Sequence, residues 1–462
     1  MDTATAPLTP RLRPDCLSPF ETLAQSLSTV APTTTPTMTI PLVFALAGNG
    51  TWLAYLCAGA AILLMSLIIG HFARYSAGSG SLYTFATHSL PPWAGRIAGL
   101  ALLLAYVATG SSVTGGFVNY ASLFLHTSTV NPRILATLLV LLCTGAATVI
   151  AYCDVQVSAR LMLWIEATSV LLIAIVLALL LWHNGLKLDL AQLHLKSVHT
   201  SGVRLGMVLA LFSFVGFESA TTLGAEAVDP LRTIPRAVIQ SAVFCAVLFC
   251  VCAYLETLGM RAAGQNLGES SAPMRVLANL VHVPIFGTLI DIGALVSMFA
   301  CTLACISAAA RVLLQISNDG LIHSVFGTAH AVNATPAAAV LLIGGVTMLP
   351  AAILAARGAS GIDIYGWLGS LAVYGFITVY ALVAIALPFY LRRNHHLSTG
   401  TIVLSIVATL AMLLALAGTL YPVPPAPYNW LPFVYLGYLI VGTAGFAVTR
   451  RYPRSKPQAS PR

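Results

Sequence analysis

Two acidic residues stand where an apolar chain offers them no water. Glu218 follows Phe214-Val215-Gly216-Phe217 inside one hydrophobic stretch and Glu166 lies inside another, with no basic residue near the middle of either. A charge at the centre of a membrane helix costs about 2.5–3.5 kcal/mol on insertion scales, so each carboxyl is expected to face the interior of a bundle. There it can bind a proton, accept a sodium ion beside hydroxyls, or pair with a neighbouring donor; for Glu166 all three remain open. Asp291, near the outer end of a later stretch, is expected to reach interfacial water. Little other chemistry is on offer. None of the spacings among the nine cysteines forms a metal framework, and His395 and His396 read as loop residues after Arg392 and Arg393. No stretch sets acid, base and nucleophile at helical spacing, so the chain does not read as an enzyme and needs no cofactor beyond a coupling proton or sodium ion.

Backbone groups supply the second kind of chemistry. Pro32 and Pro36 bracket Thr33, Thr34 and Thr35 within the first apolar stretch, and each interior proline costs a helix about 3 kcal/mol. One half-helix is expected to end near Ala31 and another to start with Thr35 as N-cap and Pro36 in the first position, leaving Thr33 to Thr35 extended. Open backbone at membrane depth is tolerated only against protein or a water-filled cavity, so the break should face a cavity. A second interruption is expected at Phe214 to Ser219, around Gly216. The resumed helix start near Thr35 offers amides and a positive dipole end to an anionic group. Carbonyls around Ser28 to Val30 and Phe212 to Val215 can accept from an ammonium. A pocket that holds both groups suits a free amino acid. Its candidate wall is Ala31, Thr33, Thr34 and Thr35 with Phe212, Ser213, Val215, Gly216 and Phe217; Thr109, Ser111, Ser112 and Tyr374 are further hydroxyl candidates.

The elements that must position these residues follow from composition. Of 462 residues, 58% are hydrophobic and 8% charged, about a third of the charge of a soluble domain. Stretches such as 135–150 and 169–182 are apolar on nearly every face, which excludes the alternation of a β-barrel. The fold class is an all-α membrane protein of about 12 helices, near 21–47, 51–73, 93–125, 134–153, 159–183, 204–226, 236–258, 283–315, 336–355, 363–391, 399–420 and 431–449. The interruptions fall in spans one and six, five positions apart, as in an inverted five-plus-five repeat with two discontinuous helices meeting at midplane. Residues 1–20 then form a cytoplasmic tail without a signal peptide, 21–391 the ten-helix core, 392–449 helices 11 and 12, and 450–462 a basic cytoplasmic tail. The net charge of +8 is dispersed in short loops and tails, which argues for a lipid bilayer and against nucleic acid as partner. With the N-terminus inside, all but Arg133, Lys187, Lys196, Arg204, Arg261, Arg275 and Arg357 of the 22 Lys and Arg fall on the inner side, so both termini are expected in the cytoplasm. Asn49-Gly50-Thr51 reads as a turn. Nothing in the chain speaks to oligomeric state.

The run from Leu211 to Ala220 resembles the sixth helix of the amino acid-polyamine-organocation (APC) family of permeases. Asp229-Pro230 with Ile234-Pro235-Arg236-Ala237 resembles the family's inner loop after that helix. Arg311 with Asp319-Gly320 resembles its end of helix eight, and Gly78 to Tyr83 its loop before helix three. Together they span about residues 21–391. The resemblance implies the LeuT-type fold, alternating access in the plasma membrane, and transport of amino acids or related amines; exchange of one amine for another and nutrient sensing occur on the same fold. By match, Phe212 takes an aromatic position that stacks over substrate in a family antiporter, and Glu218 that of a proton-sensing glutamate. Glu166 stands where some proton-coupled relatives carry a lysine. The chain departs from the family at Thr33-Thr34-Thr35, where a Gly-Ser-Gly or Gly-x-Gly stretch is usual.

Overall fold

A computed structural model of the chain describes residues 15–76, 81–125, 131–153, 156–195, 197–328, 335–421, 423–424 and 426–449. The tail expected at 450–462, most of the tail expected at 1–20, and residues 78–80 of the Gly-rich loop lie outside these residues. The described residues contain no named strand; a lone parallel bridge joins Leu17 to Ala227. Nine segments among them are long and apolar enough to cross a membrane, so the chain is an all-helical, multi-pass membrane protein.

The helices run in order α1 (Pro19–Val30), α2 (Ile40–Ala47), α3 (Thr51–Ala73), α4 (Ser81–Ser89), α5 (Pro92–Phe124), α6 (Pro132–Cys153), α7 (Gln156–His183), the single turn α8 (Leu190–Leu193), and α9 (Thr200–Phe212). They continue as α10 (Pro230–Ala262), α11 (Pro273–Leu280), α12 (Pro284–Asn318), α13 (Ala337–Ala356), α14 (Gly361–Arg393), α15 (Thr399–Leu420) and α16 (Leu431–Thr449). Prolines at first or second positions and capping boxes at Ser18/Glu21, Ser360/Asp363 and Ser398/Thr401 set several of these starts. The apolar segment Pro19–Ala73 has 55 residues. A straight helix of that length would reach about 80 Å, more than twice a bilayer's hydrocarbon core. It doubles back at the 3₁₀ turn Gly48–Gly50, where Gly48 takes φ +53° and Arg261 donates to the side chain of Asn49.

Three long helices form the centre. The most apolar windows of α5, α14 and α12 are 89%, 78% and 72% buried, whereas those of α6, α7, α13 and α15 are at most 33% buried and turn Leu142, Leu171, Leu341 and Leu414 outward. The second group supplies the lipid-facing surface. Small residues let the central pair close up. A Cβ on Gly361 would meet the carbonyl of Gly115, and one on Gly375 the carbonyl of Ala101.

Both interruptions are present, in forms different from those expected. α1 ends at Val30 with Ala31 left-handed (φ 51°). The chain resumes as a π-helical turn, Thr35–Thr39, whose N-cap is Thr34 rather than Thr35, and Pro36 occupies its second position. Thr33 and Thr34 are not extended: the Thr34 amide donates to the Ala31 carbonyl at 2.8 Å, and Thr34 has helical angles (φ −67°, ψ −31°). The reason is local. Pro36 has no N–H for the Pro32 carbonyl, so an α-ladder cannot run unbroken across the segment, and the chain resumes in a wider turn in which the Ile40 amide donates to the Thr35 carbonyl. The Thr37 hydroxyl meanwhile lies within hydrogen-bonding distance of the carbonyls of both Thr33 (2.9 Å) and Thr34 (3.2 Å).

The expected span 204–226 is likewise a short helix and not a long one. α9 stops at Phe212, turns carry the chain through Glu218, and only a 3₁₀ stretch, Ser219–Leu223, follows. Gly216 is the pivot, with φ +98° and its Cα against the side chain of Thr29. A methyl there would meet both a backbone penalty of about 1–2 kcal/mol and overpacking of about 1–3 kcal/mol. Gly216→Ala is therefore expected to lower the detergent melting temperature markedly, while Gly145→Ala, which has open space around it, leaves it nearly unchanged; equal melts would remove Gly216 as a pivot.

Candidate functional site

The two breaks lie side by side and satisfy one another. The Ser26 hydroxyl donates to the Phe217 carbonyl (2.8 Å) and accepts from the Ala220 amide (3.2 Å). The Ser219 hydroxyl donates to Thr29 Oγ1 (2.9 Å) and approaches the Gln25 carbonyl (3.2 Å). From α12, the Cys301 thiol donates to the Thr29 carbonyl at 3.0 Å. Polar backbone that no helix ladder uses is thus paired inside a dry core, where leaving it unpaired would cost several kcal/mol per group.

Beside this seam lies a narrow cavity, lined among others by Val30, Thr34, Thr35, Phe212, Ser213 and Val215. Five residues of the expected wall are therefore brought together: Thr34, Thr35, Phe212, Ser213 and Val215. The other four sit elsewhere. Ala31 forms the left-handed cap of α1; Thr33 gives its amide to Glu166; Gly216 packs on Thr29; Phe217 lies 5.7 Å from the Tyr380 ring. Among the hydroxyl candidates Thr109 reaches the cavity. Ser111 and Ser112 instead donate to the carbonyls of Thr347 and Tyr365, both at 2.5 Å. Tyr374 stacks on Tyr435 in a separate apolar crevice.

Thr29, within the stretch Ser28 to Val30 expected to offer carbonyls, also lines it, and Val113, Cys301 and Tyr365, which carry no signal in the sequence, complete the wall. Tyr365 meets Phe212 edge-on at 5.5 Å and shares a 2.6 Å hydrogen bond with Thr39. Thr34 Oγ1 is buried without a hydrogen-bond partner among the described residues. No charged side chain among the described residues lines the cavity. The space free to solvent is only about 10 Å³, room for about one water molecule, so the wall must part before a solute enters.

The acids stand behind this wall. Glu218 is fully buried, and both its oxygens accept phenolic hydroxyls: Tyr106 at 2.9 Å and Tyr380 at 2.8 Å. Glu166 reaches the first break, where its Oε1 accepts the Thr33 amide at 2.6 Å. An intramembrane acid calls for such donors, and tyrosines and broken-helix amides are the groups able to supply them; which helix brings them is invisible in the sequence. Asp291 does not reach interfacial water as expected. It is buried and paired with Arg275 Nε at 2.5 Å, because α11 folds back over the start of α12. Arg311 forms a two-pronged buried pair with Glu226 (2.7 and 3.1 Å), and the Glu226 carbonyl holds the amides of Cys16 and Leu17. Tyr83 donates to Asp319 at 2.5 Å.

Fold and site together define a class: multi-pass helical membrane proteins in which two interrupted helices, cross-bonded at their breaks, wall a small cavity. The chain belongs to the amino acid permease family of the APC superfamily, whose profile matches residues 17–446, and is therefore a transmembrane transporter of the amino acid and amine permease kind rather than an enzyme. It is similar to the branched-chain amino acid permease BcaP of Bacillus subtilis (strain 168), 25% identical over 325 residues that cover 66% of this chain and 67% of the relative. It is also similar to the D-serine/D-alanine/glycine transporter of Escherichia coli (strain K12), 23% identical over 368 residues (77% and 76%). The low-affinity putrescine importer PlaP of Escherichia coli (strain K12) is 24% identical over 307 residues (64% and 66%).

The Glu166 bond to the break generates a stability prediction. Glu166→Gln keeps an oxygen acceptor for the Thr33 amide, whereas Glu166→Leu leaves that N–H unmade at about 1–3 kcal/mol. Thermal melts in detergent should rank wild type and Glu166→Gln together above Glu166→Leu; coincident melts for the two variants would show that this bond does not hold the break.

Proposed function

We propose that the chain is a secondary active transporter that carries small neutral amino acids, or closely related amines, across the plasma membrane by alternating access, coupled to protons. The supporting architecture is a LeuT-type core of two inverted five-helix repeats, with discontinuous first and sixth helices, followed by helices 11 and 12. The observation that carries this reading is the cavity at the cross-bonded breaks. Its wall combines the start of a resumed helix and the unpartnered Thr34 hydroxyl, which suit a carboxylate, with the end of α1, whose last carbonyls suit an ammonium. The absence of a charged side chain from the lining favours a zwitterion over a polyamine, whose additional ammonium would go uncompensated there. Relatives named for amino acid transport, BcaP and the D-serine/D-alanine/glycine transporter, support the same substrate class.

Phe212 and Val215 form the apolar part of the pocket, and Thr34, Thr35 and Ser213 the polar part. Glu218 and Glu166 serve as proton sites. Each holds an element that must move if the breaks are hinges: Glu218 through Tyr106 on α5 and Tyr380 on α14, Glu166 through the first break itself. Adding a proton to either weakens its grip and biases one access state over the other. Both termini are placed in the cytoplasm, an orientation supported by the gathering of Arg74, Arg232 and Arg236 around one crevice where α3 ends and α10 starts.

A thermal-shift screen of the common amino acids and amines tests the substrate class. A ligand at a hundred times its Kd stabilises the folded state by about 2.7 kcal/mol. A small neutral amino acid is expected to raise the melting temperature and then to accumulate in proteoliposomes when the outside is acidified, with sodium replaced by choline. Glu218→Gln is expected to abolish the pH-driven accumulation while leaving the protein folded. No shift from any amino acid, or accumulation that needs sodium and ignores pH, would sink this reading.

A further inference from the structure

A third acid has no such partners. Glu256 lies on α10 about two turns before its outer end; it is fully buried, and neither carboxyl oxygen has a hydrogen-bond partner among the described residues. Among the described residues, the ionisable groups within electrostatic reach of it are Tyr55 on α3, Tyr120 on α5 and Cys252 one turn back on its own helix. Both phenols are already engaged. Tyr55 shares a 3.0 Å hydrogen bond with Ser213 at the break after α9, and Tyr120 donates at 3.0 Å to the Thr37 carbonyl in the π-helical turn. The two basic residues that follow it in the chain are taken: Arg261, further along α10, by Asp189, and Arg275 on α11 by Asp291 on α12. The acid of α7, Glu166, is instead within electrostatic reach of Cys245, about three turns earlier on α10.

An ionised carboxylate with no donor and no cation in an apolar interior is prohibitively costly, whereas a neutral carboxyl is not. We propose that Glu256 is a proton-binding site, loaded in this conformation, whose proton is exchanged against the tethers of the two broken helices. On release the proton leaves Glu256 for water, and the new carboxylate attracts the hydroxyls of Tyr55 and Tyr120. Those are the hydroxyls that now meet Ser213 and Thr37. Discharging Glu256 thus competes with bonds at both breaks, and remaking those bonds favours reloading it. Its coupling to solute movement rests on the transport reading above; its protonation does not.

Infrared spectroscopy of the purified protein in heavy water, without any solute, tests the protonation. Wild type is expected to show the carbonyl stretch of a protonated carboxyl at neutral pD, and a component of that band is lost in Glu256→Gln, which melts close to wild type because the amide copies a neutral acid. Should that variant not assemble, Glu256→Met, unbranched and apolar, replaces it. Tyr55→Phe removes one waiting donor, so the Glu256 component should persist to higher pH than in wild type. A wild-type spectrum without the band, or a band unchanged in both Glu256 variants, overturns the site. An unmoved titration in Tyr55→Phe overturns the competition for the tether. None of these readouts depends on a substrate, so they separate from a failure of transport.

Discussion

Every polar backbone group that a helix gives up inside a bilayer must be paired by something else in the protein, and in this chain two broken helices largely pair each other. The bonds from Ser26, Ser219 and Cys301 to the segments around Thr29 and Phe217 close the seam. That arrangement fixes much of what surrounds it. The breaks must sit in the driest part of the bundle, so the most buried helices, α5, α12 and α14, stand against them, and the lipid-facing helices are relegated to the rim. The cavity is what the seam leaves open on one side. Its polar character comes from helix ends and hydroxyls, groups that bind a solute without carrying a fixed charge through the membrane.

The buried acids solve the same problem in different ways, and the differences sort their roles. Glu226 is matched by a guanidinium and Asp291 by another, pairs whose removal on one side alone strands a charge. The Glu226–Arg311 pair also anchors the chain entering α1, because the backbone of Glu226 holds Cys16 and Leu17. Glu218 and Glu166 have only neutral donors, two phenols and one amide. Neutral donors stabilise a carboxylate without locking it, so these two acids can change protonation at modest cost, whereas the ion pairs favour permanent charge. Glu256, with no donor among the described residues, stands at the far end of this series.

Close packing ties the site to the scaffold. Gly369 would drive a Cβ into the Phe212 ring, so the aromatic wall of the cavity is set by a missing side chain on α14. Gly216 plays the same part for Thr29. Small residues here are spacers whose value appears only in the partner they admit, in keeping with helix association in lipid, where contact and not hydrophobicity drives packing.

The sequence by itself determined the class of the molecule and the location of its two irregular segments. Low charge and long apolar runs leave only helices across a bilayer, and Pro32, Pro36 and Gly216 obey local sterics that no neighbour can repeal. The same reading placed Glu218 and Glu166 inside the bundle, because an acid in lipid has nowhere else to go. Tertiary structure decided the rest. The donors to Glu218 come from helices more than a hundred residues away, and Asp291 is dry only because α11 folds over it. Sequence spacing specifies contacts within a helix turn, but contacts between helices follow from packing angles and register: residues adjacent in the chain at a break point in different directions, and only the fold shows which of the candidate wall residues meet.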